Sequence, residues 1–205
     1  MIIKVPKNIT DRLEERLRAI PEQMPDVLKK TINSTAKSAR REIAEQTKEE
    51  YTVKIGSFNK TMKIENATQK YLQATIHTKG SPLPLYGFKR RKNTQTEAAK
   101  AQVLSDGRLK ELVLKDGADN GKDLKAFVQK IPNTGYVGIF QRMTDSDRKK
   151  SSSEKKNAIK QLYAPSIPQM TGNEEKVYSV VQPFIAQELR KNLEKHIDMV
   201  MEGMK

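Results

Sequence analysis

The chain has 205 residues with no Cys, no Trp, 5% aromatic residues and a mean hydropathy of −0.75. These values exclude disulfides, thiolate metal sites and Cys nucleophiles, and they leave too few rings for a broad stacking platform for single-stranded nucleic acid. With 39 basic and 25 acidic residues the net charge is +14, which favours contact with a polyanion or an acidic protein face.

Hydrophobic residues make up 36% and charged residues 31%, so the expectation is one domain with a modest core and much exposed helix. A subunit that buries surface against neighbours fits the same numbers. No apolar run approaches the roughly 20 residues of a membrane helix. Lys4 and Lys7 interrupt the N-terminus, so it reads as lacking a signal-peptide core. A soluble protein made where it assembles, with no membrane contact, is the reading.

In chain order, Asn8-Ile9-Thr10-Asp11 offers capping side chains ahead of Leu13, Leu17 and Ile20, which recur at helical spacing. Pro21 and Pro25 end that helix, and Pro25 suits the first turn of the next. From Asp26 to about Tyr51, Val27, Leu28, Ile32, Ala36, Ala39, Ile43, Ala44 and Thr47 form one narrow stripe. Such a helix either lies across a sheet or joins an inter-subunit coiled coil. The segment Ile55–Asn66 is either a short helix or a β arm.

Tyr71–Thr78 alternates, with Leu72, Ala74 and Ile76 on one side and Gln73, Thr75 and His77 on the other, which predicts a half-buried strand. Leu83–Phe88 is a proline-restricted edge or loop. A basic loop over Lys89–Lys100 precedes strands at Ala101–Leu104 and Arg108–Lys115, and Asp116–Asp123 is turn-rich. Ala126-Phe127-Val128 and Tyr136–Phe140 flank Pro132-Asn133-Thr134-Gly135 and read as a hairpin.

Met143–Lys156 lacks apolar residues after Met143 and reads as a disordered loop. Ile159–Tyr163 reads as a strand, and Pro165 and Pro168 hold Ala164–Pro168 extended. Asn173–Lys205 is a helix capped by Asn173, which Pro183 kinks or splits. The predicted class is therefore α+β: a small mixed or antiparallel sheet packed against a long N-terminal helix and a kinked C-terminal helix. Within the single domain, residues 8–51 are helical, 52–170 form a β-rich core with basic loops at 89–100 and 143–158, and 173–205 form the last helix.

Charge is clustered. Lys89, Arg90, Arg91 and Lys92, together with Arg148, Lys149, Lys150, Lys155 and Lys156 set against Glu154, carry +8 of the total. These nine cations are the candidate contacts for nucleic acid or an acidic partner, the alternative being solvated loops. Catalytic patterns are missing. His77 and His196 fall in different elements, the acidic pairs Asp145/Asp147 and Asp116/Asp119 sit in turns, and no phosphate loop, GxSxG or HExxH occurs. Asp116–Gly121 lacks the closing acid of a calcium loop. The chain reads as a non-enzyme without cofactor, metal or small-molecule substrate.

The stretch AFVQKIPNTGYVGIFQR, then a loop, then IKQLYAPSIPQM resembles the C-terminal half of the phage minor tail protein Z family. The matching residues are Phe127, Gly135, Gly138, Phe140, Arg142, Leu162, Tyr163, Pro165, Ser166, Ile167 and Pro168. The upstream order is similar too: a long helix ending near Tyr51, a strand ending at Gly80 and a Pro/Leu segment at Leu83–Phe88. Ala164 stands where that family has Gly, and the Arg148–Lys156 insert replaces a short connection.

The resemblance implies a virion structural component that completes a tail or joins it to the neck or head, as a homo-oligomeric ring. It would be assembled in the host bacterial cytoplasm. Implied partners are further copies, the tail tube, terminator and connector proteins, and packaged DNA in the channel. The alternative, from charge alone, is a free basic DNA-binding protein using its Lys/Arg loops.

Overall fold

The structure is a computed structural model that describes residues 1–4, 6, 11, 16, 21–54, 58–117, 121–150 and 158–202. The predicted helix over 8–20 lies outside the described residues apart from Asp11 and Arg16. The fold is α+β, with a long N-terminal helix, a C-terminal helix and antiparallel sheets. The chain divides into two compact units: residues 1–47, 57–80 and 167–205 form the first, and 48–56 and 81–166 the second.

The first unit opens with β1 (Ile2–Lys4), helix α1 (Met24–Glu50, whose last three residues count with the second unit), β2 (Met62–Glu65) and β3 (Gln73–Thr78). The second unit continues with β4 (Pro82–Pro84), β5 (Lys89–Arg91), β6 (Lys100–Gln102), β7 (Lys110–Glu111), β8 (Val113–Leu114) and β9 (Leu124–Lys125). It is completed by β10 (Phe127–Lys130), β11 (Val137–Arg142), helix α2 (Asp145–Lys150), β12 (Ile159–Gln161) and β13 (Tyr163–Ser166). The chain then returns to the first unit with α3 (Ile167–Thr171), a π turn at Glu174–Tyr178 and α4 (Ser179–Glu202).

In the first unit the strand order is β1-β3-β2, all antiparallel. The predicted alternation in β3 holds, because Ala74 and Ile76 are buried while His77 is exposed. The undecided segment after Ile55 becomes a 3-10 turn at Phe58–Thr61 followed by β2. Helix α1 buries one stripe, as expected, to which Thr31 and Thr35 are added.

That stripe does not simply lie across a sheet. Val27 and Leu28 pack with Leu189, Leu193 and Ile197 of α4. Polar contacts run beside them: Thr31 Oγ1 lies 3.2 Å from His196 Nδ1, and the Asn192 amide donates to Thr35 Oγ1 at 3.1 Å. Asn33 pairs in both directions with the backbone of Ala67, leaving no orphan amide there.

The C-terminal helix corrects another expectation. Asn173 is the cap, accepting from Lys176 N–H, as expected, but Pro183 does not split the helix, because Ser179–Glu202 is one element, α4, with the proline inside it. The irregularity falls one turn earlier, where i→i−5 bonding makes the turn Glu174–Tyr178 π-helical. Pro168 is not in an extended segment either. It occupies the first turn of α3, where a missing N–H costs nothing, and Thr171 Oγ1 closes that turn onto the Ile167 carbonyl at 3.0 Å.

In the second unit the strands are short, in orders β5-β6-β7, β8-β9, β10-β11-β12 and β4-β13, every pair antiparallel. Arg108–Lys115 is not one strand, because it breaks at Leu112 between β7 and β8. Ile159–Tyr163 likewise breaks at Leu162. Both interruptions have the same cause: the backbone there turns to bond elsewhere. Leu112 N–H donates to the Ala99 carbonyl (2.9 Å), Ala99 N–H to Ala126 (2.8 Å) and Ala126 N–H to Leu112 (2.9 Å), which closes a ring of three bonds. Leu162 N–H donates to Ile139 and its carbonyl accepts from Leu85 N–H.

Two predictions follow from the α1–α4 pair. Truncating Leu193 to Ala removes a buried side chain between the helices and is expected to destabilise the first unit by about 2–5 kcal/mol in chemical unfolding. The His196 imidazole is held below its ordinary 6.5 by burial, opposed by a hydrogen bond the ring donates to the Asn192 backbone carbonyl, with Lys195 and Lys30 lowering it further and Asp26 raising it. A group with a depressed folded pKa stabilises fully above its unfolded value, so stability is expected to fall as pH drops below 6.5, where the unfolded chain takes up the proton first. Thermal unfolding of wild type against His196→Gln checks this, the variant losing that part of the pH dependence.

Candidate functional site

The hairpin of the family-like motif forms as the sequence implies. Phe127 pairs with Phe140 and Gln129 with Gly138, and β12 adds on the other side, with Phe140 opposite Gln161 and Arg142 opposite Ile159. The turn closes through Ile131 N–H to the Tyr136 carbonyl at 2.7 Å, and Gly135 takes φ +67°, a left-handed conformation that glycine adopts without strain.

Gly138 has a different role. A Cβ there would lie 2.9 Å from the Phe140 ring and 3.0 Å from the Tyr136 ring, so its bare backbone lets two rings lie over the strand. Phe140 is buried and Tyr136 is 40% exposed. The Gln161 amide donates to the Tyr136 hydroxyl, and the Tyr163 hydroxyl donates to Gln161 Oε1 at 3.3 Å. The result is a surface row of Tyr136, Gln161 and Tyr163.

Strand β13 alternates, with Tyr163 and Pro165 outward and Ala164 and Ser166 inward, and its pairing with β4 shifts between Ala164 and Ser166. Proline is tolerated because the strand pairs on one side only. Ala164 is extended, with its side chain buried, so the Gly-to-Ala departure requires no left-handed backbone. Ile167 is buried and Pro168 half-buried in α3, and Leu162 is half-buried. The motif is therefore not all scaffold: Arg142, Tyr163 and Pro165 face solvent. Gln161 was not singled out from the sequence, and only its register opposite Phe140 brings it between the two tyrosines.

The clustered cations separate into engaged and exposed groups. Lys89–Arg91 is strand β5, not loop, since it pairs with Lys100–Gln102 of β6. Arg90 is half-buried, its guanidinium 3.6 Å from the centre of the Tyr86 ring, in a cation–π contact. Lys89, Arg91 and Lys92 are exposed.

Asp145–Lys150 is also not a disordered loop. Thr144 Oγ1 accepts from Asp147 N–H at 3.1 Å and Asp147 Oδ2 accepts from Thr144 N–H at 3.2 Å, a reciprocal cap that starts α2. Lys160 sits 2.5 Å from Asp147 and, with the Thr144 backbone N–H, holds that carboxyl down at about 2. Its contribution is present above 3.8 and is lost as pH falls toward 2. Arg148 pairs with Asp145 and donates to the Met143 carbonyl, whereas Lys149 and Lys150 are exposed. Lys155 and Lys156 lie outside the described residues.

Among the described residues, no group of three or more His, Cys, Asp or Glu side chains could hold a metal ion, and no helix is long and apolar enough to cross a membrane. No protein-family model, curated protein or solved structure matches the chain.

Gly138→Ala tests the ring packing. The added methyl must displace a buried ring, which is expected to cost about 1–3 kcal/mol in urea unfolding. Quenched or shifted Tyr136 fluorescence would accompany it.

Proposed function

We propose that this chain is a structural subunit of a phage or phage-like tail, completing the tail end or joining it to the neck or head as a ring of copies. The observation that carries this reading is the Phe127–Met170 block, whose residues resemble the minor tail protein Z family. Its geometry supports the reading in one respect. The block builds a rigid hairpin with an adjoining edge strand, and it presents Tyr136, Tyr163 and Pro165 outward. Exposed tyrosines on a rigid sheet are a common means of protein–protein contact, because their rings contribute large area at small entropic cost.

The strand edges support it further. Strands β4 and β13 form a two-stranded sheet, and β10 and β12 are the outer strands of theirs. Outer strands of this kind accept neighbouring chains. A ring needs one surface to meet a different surface of the next copy, and closure follows from the rotation between them. The role is structural rather than catalytic, the setting is the virion, and the partners are further copies and neighbouring tail or neck proteins.

Light scattering and negative-stain microscopy of the purified protein test the proposal. Closed rings of uniform copy number, weakened by the paired change Tyr136→Ala and Tyr163→Ala, are the expected result. A strictly monomeric protein that is also absent from purified particles would rule it out.

A further inference from the structure

The cations singled out by their clustering all belong to the second unit. In the first unit the sheet β1-β3-β2 brings together a basic surface that no run of sequence announces. Its buried face carries Ile3, Ala74, Ile76 and Met62. By strand alternation the opposite face carries Ile2 and Lys4 of β1, Lys63 and Glu65 of β2, and Gln73, Thr75 and His77 of β3, Ile2 being its one exposed aliphatic side chain.

Two clefts lie on this face. One, of about 790 Å³, is lined by Lys60, Lys63, His77 and Lys79, and the other, of about 540 Å³, by Lys4, Lys70 and Tyr71; both reach Glu65. All five lysines are exposed, and none forms an ion pair with a described carboxylate. Among the described residues lining the clefts, Glu65 is the only acid, and His77 Nε2 already engages it at 2.9 Å. Tyr71 stands at one end with 76% of its surface open.

We infer that this sheet face is a binding surface for the phosphate backbone of duplex nucleic acid. Lysine ammonium groups without internal partners are point charges suited to phosphates, and they need no fixed fork geometry. Their spacing fits a linear polyanion. Lys4 is level with Gln73, and Lys79 lies six residues further along the same strand line, a run of about 20 Å at roughly 3.3 Å per residue. That length covers about six phosphates along one strand of a duplex, which rises ~3.4 Å per nucleotide. Single-stranded binding would ask for several stacking rings, and the face has one exposed tyrosine, Tyr71. An acidic protein face would be met more selectively by arginine, and no described arginine lines either cleft.

This surface is distinct from the Tyr136–Tyr163 row and does not depend on the tail reading. Oligomeric state tests the one and nucleic-acid affinity the other, so either can fail alone.

Fluorescence anisotropy of a labelled mixed-sequence DNA duplex of about 30 base pairs, titrated with the full chain across a salt series, is the test. Five engaged lysines predict a log–log salt slope near −4.5, or roughly 500-fold weaker binding on going from about 50 to about 200 mM salt. The variant Lys63→Glu with Lys79→Glu, its fold checked by circular dichroism, is expected to bind at least about tenfold more weakly with a shallower slope. Acetylation footprinting of the unmutated chain gives a second reading: duplex should protect Lys4, Lys60, Lys63, Lys70 and Lys79.

The inference is overturned if the double variant binds like wild type and these lysines stay reactive. It is equally overturned if only Lys89→Ala, Arg91→Ala and Lys92→Ala abolish binding, if single strands are preferred, or if polyglutamate displaces the duplex at equal charge.

Discussion

The second unit depends on a closed ring of three backbone hydrogen bonds linking Ala99, Ala126 and Leu112. Apart from β11, the strands of this unit have only two to four residues and contribute too few ladder bonds to hold their own register. The ring supplies what they lack, because each residue sits at the junction of a different small sheet. Ala99 lies beside β6, Leu112 separates β7 from β8, and Ala126 separates β9 from β10. Ala99 and Ala126 are buried at 0% and 1% exposure. Buried amides must be paired, and alanine at two of the three positions keeps side-chain bulk out of the junction where these backbones meet. The motif hairpin β10-β11 begins at that junction, so its placement is a consequence of the ring.

The first unit is held differently, by side chains across α1 and α4. Leu28 and Val27 meet Leu193, Leu189 and Ile197 in an apolar cluster, and Thr31 and Thr35 extend the contact as hydrogen bonds to His196 and Asn192. The threonines allow close approach and leave no unmet polar group. Burial penalises the charged form of His196, so the ring's affinity for a proton is depressed there.

The cations follow the same division between structure and surface. Arg90 over Tyr86, Arg148 on Asp145 and Lys160 on Asp147 spend their charge inside the fold. Clustering in the chain therefore overstates the freely available charge of the second unit. In the first unit, five lysines scattered between residues 4 and 79 converge on one face without internal partners. The proposed tail role draws on the tyrosine row and strand edges, and the inferred nucleic-acid contact draws on this lysine face. The two draw on residues of different units.

Several features were legible in the residues alone. The α+β class, the α1 stripe, the alternation of β3, the Asn173 cap and the Asn/Gly-turn hairpin all rest on local rules of period and turn geometry, which act within a few residues. The errors share a cause as well. Asp145–Lys150 looked disordered because its helix is stabilised by a reciprocal cap and by Lys160 from a distant strand, not by an apolar stripe. Lys89–Arg91 looked like loop because its pairing partner is Lys100–Gln102, which composition does not reveal. Pro168 reads as extended from the sequence because proline suits both extended chain and a helix's first turn, and local preference does not choose between them. By itself, then, the sequence determined the elements whose periodicity buries one face. Tertiary structure alone decided the ring at Ala99, the row through Gln161 and the lysine face of the first sheet, because each is made by hydrogen-bond register between segments far apart in the chain.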